Sequence, residues 1–227
     1  MSRPLLILRP EPGASRTVRA AATLRLDAIA VPLFAVEPLH WFPPDPVRFD
    51  AVMFTSANAV RAAGNGLARY GALPVYAVGT ATAEAARQSG FSYVREGPGD
   101  AAGLTAMLEG DGVLRVLHFC GAHRRESAAP GLMIERTTVY ESATIDRPEG
   151  LDDALEQAPL ALLHSPRTAE RFATLVDGLG RARAAIPIAA ISAAAVAAAG
   201  PGWARTEAAA TPDDAALLAL AARLCER

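Results

Sequence analysis

Short apolar runs alternate with longer alanine-rich runs along the whole sequence, and this alternation limits the fold more than any other feature. The apolar runs have strand length and are apolar at nearly every position, which is typical of strands buried on both faces of a sheet. They are residues 5–8, 28–33, 51–54, 75–78, 113–119, 160–163 and 188–191. The segments with helical character are 15–26, 57–69, 80–89, 101–109, 167–179, 193–199 and 213–225. The alternation predicts an α/β fold with parallel sheets.

The second half of the sequence repeats the first at an offset of about 110 residues. Residues 49–60 resemble 159–169, and residues 73–79 resemble 186–192. Two similar small α/β domains, each with a parallel sheet of the flavodoxin or Rossmann kind, are the simplest interpretation. Chance similarity between alanine-rich segments is the alternative.

Two extended segments, 34–41 and 137–145, mix polar and apolar residues and so do not suit a buried parallel strand. They occupy equivalent places in the repeat, so we expect them to pair as a two-stranded antiparallel ladder joining the domains. The default ligand site in such a protein is a cleft between the domains, lined by the carboxyl ends of the strands.

Composition excludes several classes of function. The formal net charge of −2 removes the main drive for nucleic-acid binding. All 22 basic residues are arginine, so no lysine is present for a Schiff base or a P-loop. Cys120 and Cys225 form no CxxC pair and indicate a reduced, cytoplasmic protein. We expect neither a signal peptide nor a membrane span.

Turns rich in small residues follow several predicted strands and are the best candidates for a binding site. Backbone N–H groups at the start of a helix bind anions without a charged side chain. Helix capping is the alternative role for the hydroxyl and amide side chains, and a solvated surface charge is the alternative for each arginine nearby. The candidate residues are Thr55, Ser56, Ala57, Asn58, Gly79, Thr80, Ala81, Thr82, Gly121, Ser165, Pro166 and the arginines Arg9, Arg124 and Arg167.

Histidine and cysteine do not form a recognisable metal motif. His118, Cys120 and His123 lie close in sequence, but a metal site needs more ligands at firmer spacing. A structural or ligand-contacting loop is therefore the preferred interpretation, and no metal is expected. His40 and His164 are isolated in the sequence and indicate nothing by themselves.

The motifs, in this order, resemble the uroporphyrinogen-III synthase family. The matching segments include Leu8-Arg9-Pro10, Phe54-Thr55-Ser56-Ala57-Asn58, Tyr76-Ala77-Val78-Gly79-Thr80-Ala81-Thr82, Cys120-Gly121-Ala122-His123-Arg124, Val139-Tyr140-Glu141 and His164-Ser165-Pro166. The resemblance implies a chain that begins in one domain, crosses to the other and returns. Residues 1–34 and 146–227 would form the first domain, 42–136 the second, and 35–41 with 137–145 the linker.

The resemblance also implies the reaction, in which linear hydroxymethylbilane is cyclised to uroporphyrinogen III with loss of water and inversion of ring D. It implies no cofactor or metal. We also expect a monomer with no nucleic-acid or membrane partner. The many carboxylates of the substrate agree with anion-binding turns. Tyr140 matches a family tyrosine proposed to assist departure of the hydroxyl group, and its alternative role is that of a tyrosine suited to a β-strand.

Two departures from the family pattern bear on function. The family often has Gly-x-x-Thr where this chain has Ser192 followed by three alanines, and the span after Glu126 leaves little room for a helix. The leading hypothesis is the synthase, which the repeat over the whole chain and Tyr140 favour. The two departures favour the alternative, a catalytically silent tetrapyrrole-binding or regulatory module on the same fold. A two-lobed small-molecule binding protein is a third hypothesis, which the expected lack of an export signal disfavours.

Overall fold

The computed structural model describes residues 3–123 and 129–225, and strands alternate with helices throughout them. The strands are β1 (Leu5–Ile7), β2 (Ala28–Ala30), β3 (Phe34–Pro38), β4 (Ala51–Phe54), β5 (Val75–Ala77), β6 (Val94–Glu96), β7 (Arg115–Gly121), β8 (Met133–Thr144), β9 (Leu160–Leu163), β10 (Pro187–Ala190) and β11 (Arg205–Ala208). The helices are α1 (Gly13–Thr23), α2 (Ala57–Ala63), α3 (Thr80–Gln88), α4 (Ala101–Gly110), α5 (Leu151–Glu156), α6 (Pro166–Gly178), α7 (Ala193–Ala199) and α8 (Asp214–Cys225).

The chain forms two compact units. Unit 1 contains residues 1–35 and 144–227, and unit 2 contains residues 36–143. The chain passes from unit 1 into unit 2 within β3 and returns at the end of β8.

Each unit is built on its own sheet, and the two sheets have the same strand order. The sheet of unit 1 runs β11-β10-β9-β1-β2, and that of unit 2 runs β6-β5-β4-β7-β8 with β3 added at the edge. All pairs among β11, β10, β9, β1 and β2 are parallel, as are those among β6, β5, β4, β7 and β8. The predicted α/β class with parallel sheets is confirmed.

Alternating side chains of the central strands are buried on opposite faces of each sheet. In β1 and the residue after it, Leu6 and Leu8 belong to one apolar cluster, whereas Leu5 and Ile7 belong to another. Strand β4 divides its side chains between two clusters in the same way. Burial on both faces explains why these strands are continuous apolar runs in the sequence.

The edge strand β3 runs antiparallel to β8. The Leu39 N–H donates to the Val139 carbonyl at 2.9 Å, and the Ile145 N–H donates to the Leu33 carbonyl at 3.0 Å. Partner numbers that fall on one strand as they rise on the other are the mark of an antiparallel pair.

The segment 137–145 was expected to lie outside any parallel sheet, and that expectation is wrong for its first residues. Strand β8 begins at Met133 and pairs in parallel with β7, so that Thr137 lies opposite Phe119 and Tyr140 lies opposite Gly121. The strand is equivalent to β2, which pairs in parallel with β1.

Two further differences have local causes. The helix predicted over 57–69 ends at Ala63, because Gly64 has a φ of +58° and the chain continues as a 3-10 helix to Tyr70. Strands β6 and β11 were missed, because both are edge strands with charged residues and lack an apolar run.

Among the helices described, none has the length and apolar character to cross a membrane.

Candidate functional site

A pocket in unit 2 lies at the carboxyl ends of β4 and β7. Parallel strands end at one edge of the sheet, so residues that follow different strands come together there. The pocket has a volume of about 230 Å³. It is lined by Met53, Thr55, Ser56, Ala101, His118, Gly121, His123, Ile134, Arg136 and Tyr140. It therefore brings together four of the predicted site residues, Thr55, Ser56, Gly121 and Tyr140.

The Tyr140 ring lies directly on the backbone of Gly121. The β7–β8 register shifts between Cys120 and Gly121, and the Ala122 N–H then donates to the Tyr140 carbonyl at 2.9 Å. A Cβ atom on Gly121 would lie 2.6 Å from Tyr140 Cζ and 2.9 Å from its hydroxyl oxygen. The missing side chain at residue 121 thus makes room for the phenol.

This close approach gives a test of the placement of Tyr140. We expect Gly121→Ala to push the phenol out of position and to lower turnover about tenfold or more, because catalytic groups lose efficiency when displaced by about 1 Å. Unfolding in urea should show a loss of no more than about 1 kcal/mol, since a tyrosine side chain can rotate away. Steady-state kinetics of the variant that match those of the wild type would show that the Tyr140 position is not critical.

His118 is a pocket residue that sequence reasoning did not assign to catalysis or binding. It is buried on β7, and its Nε2 lies 3.0 Å from Thr55 Oγ1, with which it shares a hydrogen bond. Its place on a buried strand, close to the carboxyl end, was the available signal. Within residues 3–123 and 129–225, no three His, Cys, Asp or Glu side chains are grouped so as to hold a metal ion.

Ser56, Ser165 and Ser192 cap the helices that follow them. Ser56 Oγ accepts from the Asn58 N–H at 3.2 Å, and Ser165 Oγ accepts from the Thr168 N–H at 3.1 Å. Ser192, which stands where the family often has glycine, accepts from the Ala195 N–H at 3.3 Å. The capping role considered for Ser56 and Ser165 is therefore confirmed, and the backbone N–H groups of the turns are the candidate donors that capping leaves unused.

Backbone N–H groups at the start of α2 and α3 are available to a ligand. Those of Ala57 and Ala81 donate to no acceptor among the described residues. The Thr82 N–H, by contrast, donates to the Gly79 carbonyl at 3.0 Å, and the Thr80 hydroxyl donates to Glu96 Oε1 at 2.5 Å. Free donors at a helix start suit an anion.

The remaining predicted arginines differ in their surroundings. The Arg167 guanidinium lies over the Phe34 ring, 4.3 Å from its centre, which is a cation–π contact inside unit 1. Arg9 follows β1 and is paired with Asp214 at 2.8 Å. Arg124 lies outside the described residues.

The polar cluster around Arg9 was not predicted from the sequence. Thr17 Oγ1 donates to Asp214 Oδ2 at 2.8 Å, and His164 Nε2 lies 3.1 Å from Asp214 Oδ1. His164 immediately follows β9 and Arg9 lies two residues past β1, so both belong to the carboxyl edge of the unit 1 sheet. Their positions directly after strands would have indicated the cluster, but Asp214 joins it from a helix far along the chain.

The Asp214 carboxyl carries the strongest electrostatic perturbation in this cluster. Burial acts to raise its pKa, but the adjacent His164 imidazole, a hydrogen bond from Thr17 and the charge of Arg9 lower the pKa to about 2. The ionised carboxylate therefore favours the folded state over the unfolded state.

This shift predicts a pH dependence of stability. The contribution of Asp214 is fully present above the ordinary pKa of 3.8 and is lost as the pH falls toward about 2. The full shift corresponds to about 2 kcal/mol, and the partial exposure of the side chain reduces the expected contribution to about 1 kcal/mol.

Urea unfolding of wild type and Asp214→Asn measures that contribution. We expect the stability difference at pH 6 to shrink at pH 3, whereas Asp153→Asn, an exposed position on α5, should give a small difference at both values. A difference for Asp214→Asn that stays constant with pH would contradict the assignment.

The sequence was compared with protein families and with curated proteins. The sequence matches the family described as uroporphyrinogen-III synthase HemD over residues 15–219. No curated protein sequence matches significantly.

Solved structures match over nearly the whole chain. Uroporphyrinogen-III synthetase from Helicobacter pylori shares 18% identity at a TM-score of 0.65, covering 98% of this chain and 99% of that one. A mutant uroporphyrinogen III synthase from Thermus thermophilus shares 16% identity at a TM-score of 0.50, covering 99% of this chain and 100% of that one. At these identities the likeness establishes the fold, and the family match over residues 15–219 shows that the chain belongs to the uroporphyrinogen-III synthase family.

Proposed function

We propose that this chain cyclises hydroxymethylbilane with Tyr140 as the acid and with backbone N–H groups and Arg9 as ligands of the substrate carboxylates. The family activity is the conversion of hydroxymethylbilane to uroporphyrinogen III with loss of water and inversion of ring D, in tetrapyrrole biosynthesis. The family match does not favour a catalytically silent module. The observation that carries the assignment of residues is the pocket that gathers Thr55, Ser56, Gly121 and Tyr140 at one sheet edge.

Tyr140 is suited to the role of proton donor. Its ring is held against Gly121, and its hydroxyl makes no hydrogen bond to any residue of the ranges described. A phenol O–H that faces a pocket can donate to the departing hydroxyl group of the bilane. The C–O bond breaks as the phenol gives its proton to the hydroxyl group, which departs as water. The phenolate regains a proton from the ring D carbon that loses its hydrogen when the macrocycle closes.

Orientation of the bound bilane provides the remaining rate enhancement. Without an enzyme the bilane closes to the wrong isomer, so the protein must hold the chain with the ring A carbon against the substituted carbon of ring D. Fixing two reacting groups in this way converts a bimolecular encounter into a unimolecular step.

The substrate carboxylates provide the binding energy for that orientation. We assign them to the turns at Ser56-Ala57-Asn58, at Gly79-Thr80-Ala81-Thr82 and at Ser165-Pro166-Arg167-Thr168. The free N–H groups of Ala57 and Ala81 support this assignment for the first two turns. Pro166 has no N–H group, so the third turn must donate from its neighbours.

Several further properties belong to the proposal. We propose a monomer that acts without a cofactor, a nucleic acid or a membrane, and the net charge of −2 supports the lack of a nucleic-acid partner. Cys120 and Cys225 form no disulfide bond, which supports a reducing compartment such as the cytoplasm. We also propose that the two units act as similar domains joined by a two-stranded antiparallel ladder at 35–41 and 137–145.

Consumption of the linear substrate tests the function. Hydroxymethylbilane generated enzymatically should disappear faster when this protein is added, in proportion to its concentration. A rate equal to that of spontaneous closure, measured with the heat-denatured protein as the control, would contradict the proposed function.

A further inference from the structure

The guanidinium of Arg9 is held from several sides at the carboxyl edge of the unit 1 sheet. Its Nη1 donates to Asp214 Oδ1 at 2.8 Å and to Thr17 Oγ1 at 3.4 Å. A Cβ atom on Gly13 would lie 2.6 Å from Arg9 Nε, so the glycine lets the guanidinium approach the start of α1. These contacts restrict both the position and the plane of the guanidinium.

Asp214 is itself held in place by two groups besides Arg9. Thr17 is fully buried, and its hydroxyl donates to Asp214 Oδ2 at 2.8 Å. The His164 side chain is 4% exposed, and its Nε2 lies 3.1 Å from Asp214 Oδ1, an ion-pair distance without the alignment of a hydrogen bond. A lone pair on Nε2 would repel the carboxylate, so we assign the proton of the imidazole to Nε2.

The cluster around Arg9 contains more buried polar groups than the Arg9–Asp214 salt bridge requires. An Arg9–Asp214 pair alone would join β1 to α8, whereas a buried imidazole adds a desolvation cost. His164 Nδ1 is buried and has no hydrogen-bond partner among the described residues, so that cost is not fully offset. Local violations of this kind are expected at functional or strained sites.

Arg9 retains donors for a ligand. Only Nη1 is used by neighbours in the described part of the chain, and the side chain remains 26% exposed. A guanidinium presents donors in a planar fork that matches a carboxylate. The neighbouring Asp214 offsets its charge, so the anion is recognised by donor geometry more than by net charge.

We propose that Thr17, Asp214 and His164 are positioning residues that fix the Arg9 guanidinium in the orientation that binds a substrate carboxylate. The inference rests on the proposed function for its ligand and goes beyond it by naming the residues that build this subsite. Thr17 and Asp214 orient Nη1, and His164 lies against Asp214 Oδ1, the same carboxylate oxygen that Arg9 contacts.

Two variants displace Arg9 without removing it. Thr17→Val keeps the shape of a fully buried side chain and deletes the hydroxyl, and Thr17→Ser is the matched control that keeps it. Gly13→Ala adds a methyl group against Arg9 Nε at a helical position where alanine is the better helix former, so the variant should fold.

Two measurements, the Kd for uroporphyrinogen III and the kcat, show whether Thr17 positions Arg9 or has only a structural role. We expect Thr17→Val and Gly13→Ala to raise the Kd about five- to tenfold. A misaligned guanidinium loses part of the free energy of a charge-assisted hydrogen bond to the ligand, and that loss corresponds to this change in Kd. The kcat should stay within about twofold in both variants, because Arg9 does not act on the reacting carbons. Thr17→Ser should match the wild type in both quantities.

A double-variant cycle gives the decisive comparison. In an Arg9→Gln background, Thr17→Val and Gly13→Ala should no longer change the Kd, because the group that they position is gone. The same Kd change with and without Arg9, or no change in any variant, would overturn the proposal.

A readout without ligand keeps this result distinct from failure of the proposed function. The Arg9 Nη1–H resonances in ¹⁵N NMR should be sharp and slowly exchanging in the wild type and in Thr17→Ser, and broadened in Thr17→Val, because Nη1 donates to Thr17 and Asp214. If the wild type neither binds uroporphyrinogen III nor consumes the bilane, the proposed function fails and the proposed subsite fails with it. An Arg9 signal indifferent to Thr17 in an active enzyme would refute the positioning network alone.

Discussion

Tyr140→Phe should lower the kcat for hydroxymethylbilane by about 100-fold or more, which is the usual effect of removing a positioned acid. The phenylalanine ring fills the same space against Gly121, so the pocket should keep its shape. The Kd for uroporphyrinogen III should therefore stay within about twofold of the wild-type value. Single-turnover kinetics measure the closure step directly.

The orientation of the bound bilane predicts a second property of Tyr140→Phe. Because the bilane is still held in its productive fold, Tyr140→Phe should retain some selectivity for the type III isomer. Unaltered turnover would reduce Tyr140 to a structural residue of β8. Loss of turnover together with a large increase in Kd would indicate that the hydroxyl group binds substrate and does not act as an acid.

Ala57→Pro should weaken the binding of uroporphyrinogen III by about 10- to 100-fold, the range expected for one lost hydrogen bond to a charged group. Proline deletes the N–H group of residue 57 at the first position of α2. The fold should tolerate the change, since proline is favoured at this position and Ser56 has an extended backbone with φ of −158°. Unit 1 has the same arrangement at Ser165-Pro166, where Ser165 has a φ of −164°.

Side-chain truncation provides the control for the proline variant. Ser56→Ala removes a capping hydroxyl and keeps every backbone donor, so it should change the Kd by about threefold or less while lowering stability by about 1 kcal/mol. Calorimetry on folded variants compares the two. Equal losses of affinity from Ala57→Pro and Ser56→Ala would show that side chains, and not the backbone, bind the carboxylates.

The fold class was predictable from the sequence because burial on both faces requires apolar residues throughout the central strands. Runs such as Leu160–Leu163 are apolar at every position, since both faces of each sheet are covered by helices. The edge strand Arg205–Ala208 has one protected side and carries Arg and Glu, so no apolar run marks it. Strand Met133–Thr144 was partly misjudged, because its mixed polarity is the same whether its neighbour is parallel or antiparallel.

The candidate site was predictable where a residue directly follows a strand, and not where it depends on register or on distant packing. Thr55 and Ser56 follow β4 and were found in this way. The contact between Tyr140 and Gly121 depends on a register shift that no local pattern encodes. Asp214 is distant from Arg9 in the sequence and contacts it only because of how α8 packs, and no local sequence pattern indicates that packing.

The isomer composition of the product is the most direct test of the central claim, that this protein closes the bilane with inversion of ring D. Hydroxymethylbilane generated enzymatically is incubated with the purified chain, and the porphyrinogens are oxidised and separated by chromatography. We expect predominantly the type III isomer with the wild-type protein and the type I isomer with heat-denatured protein. Type I alone in both samples would contradict that claim.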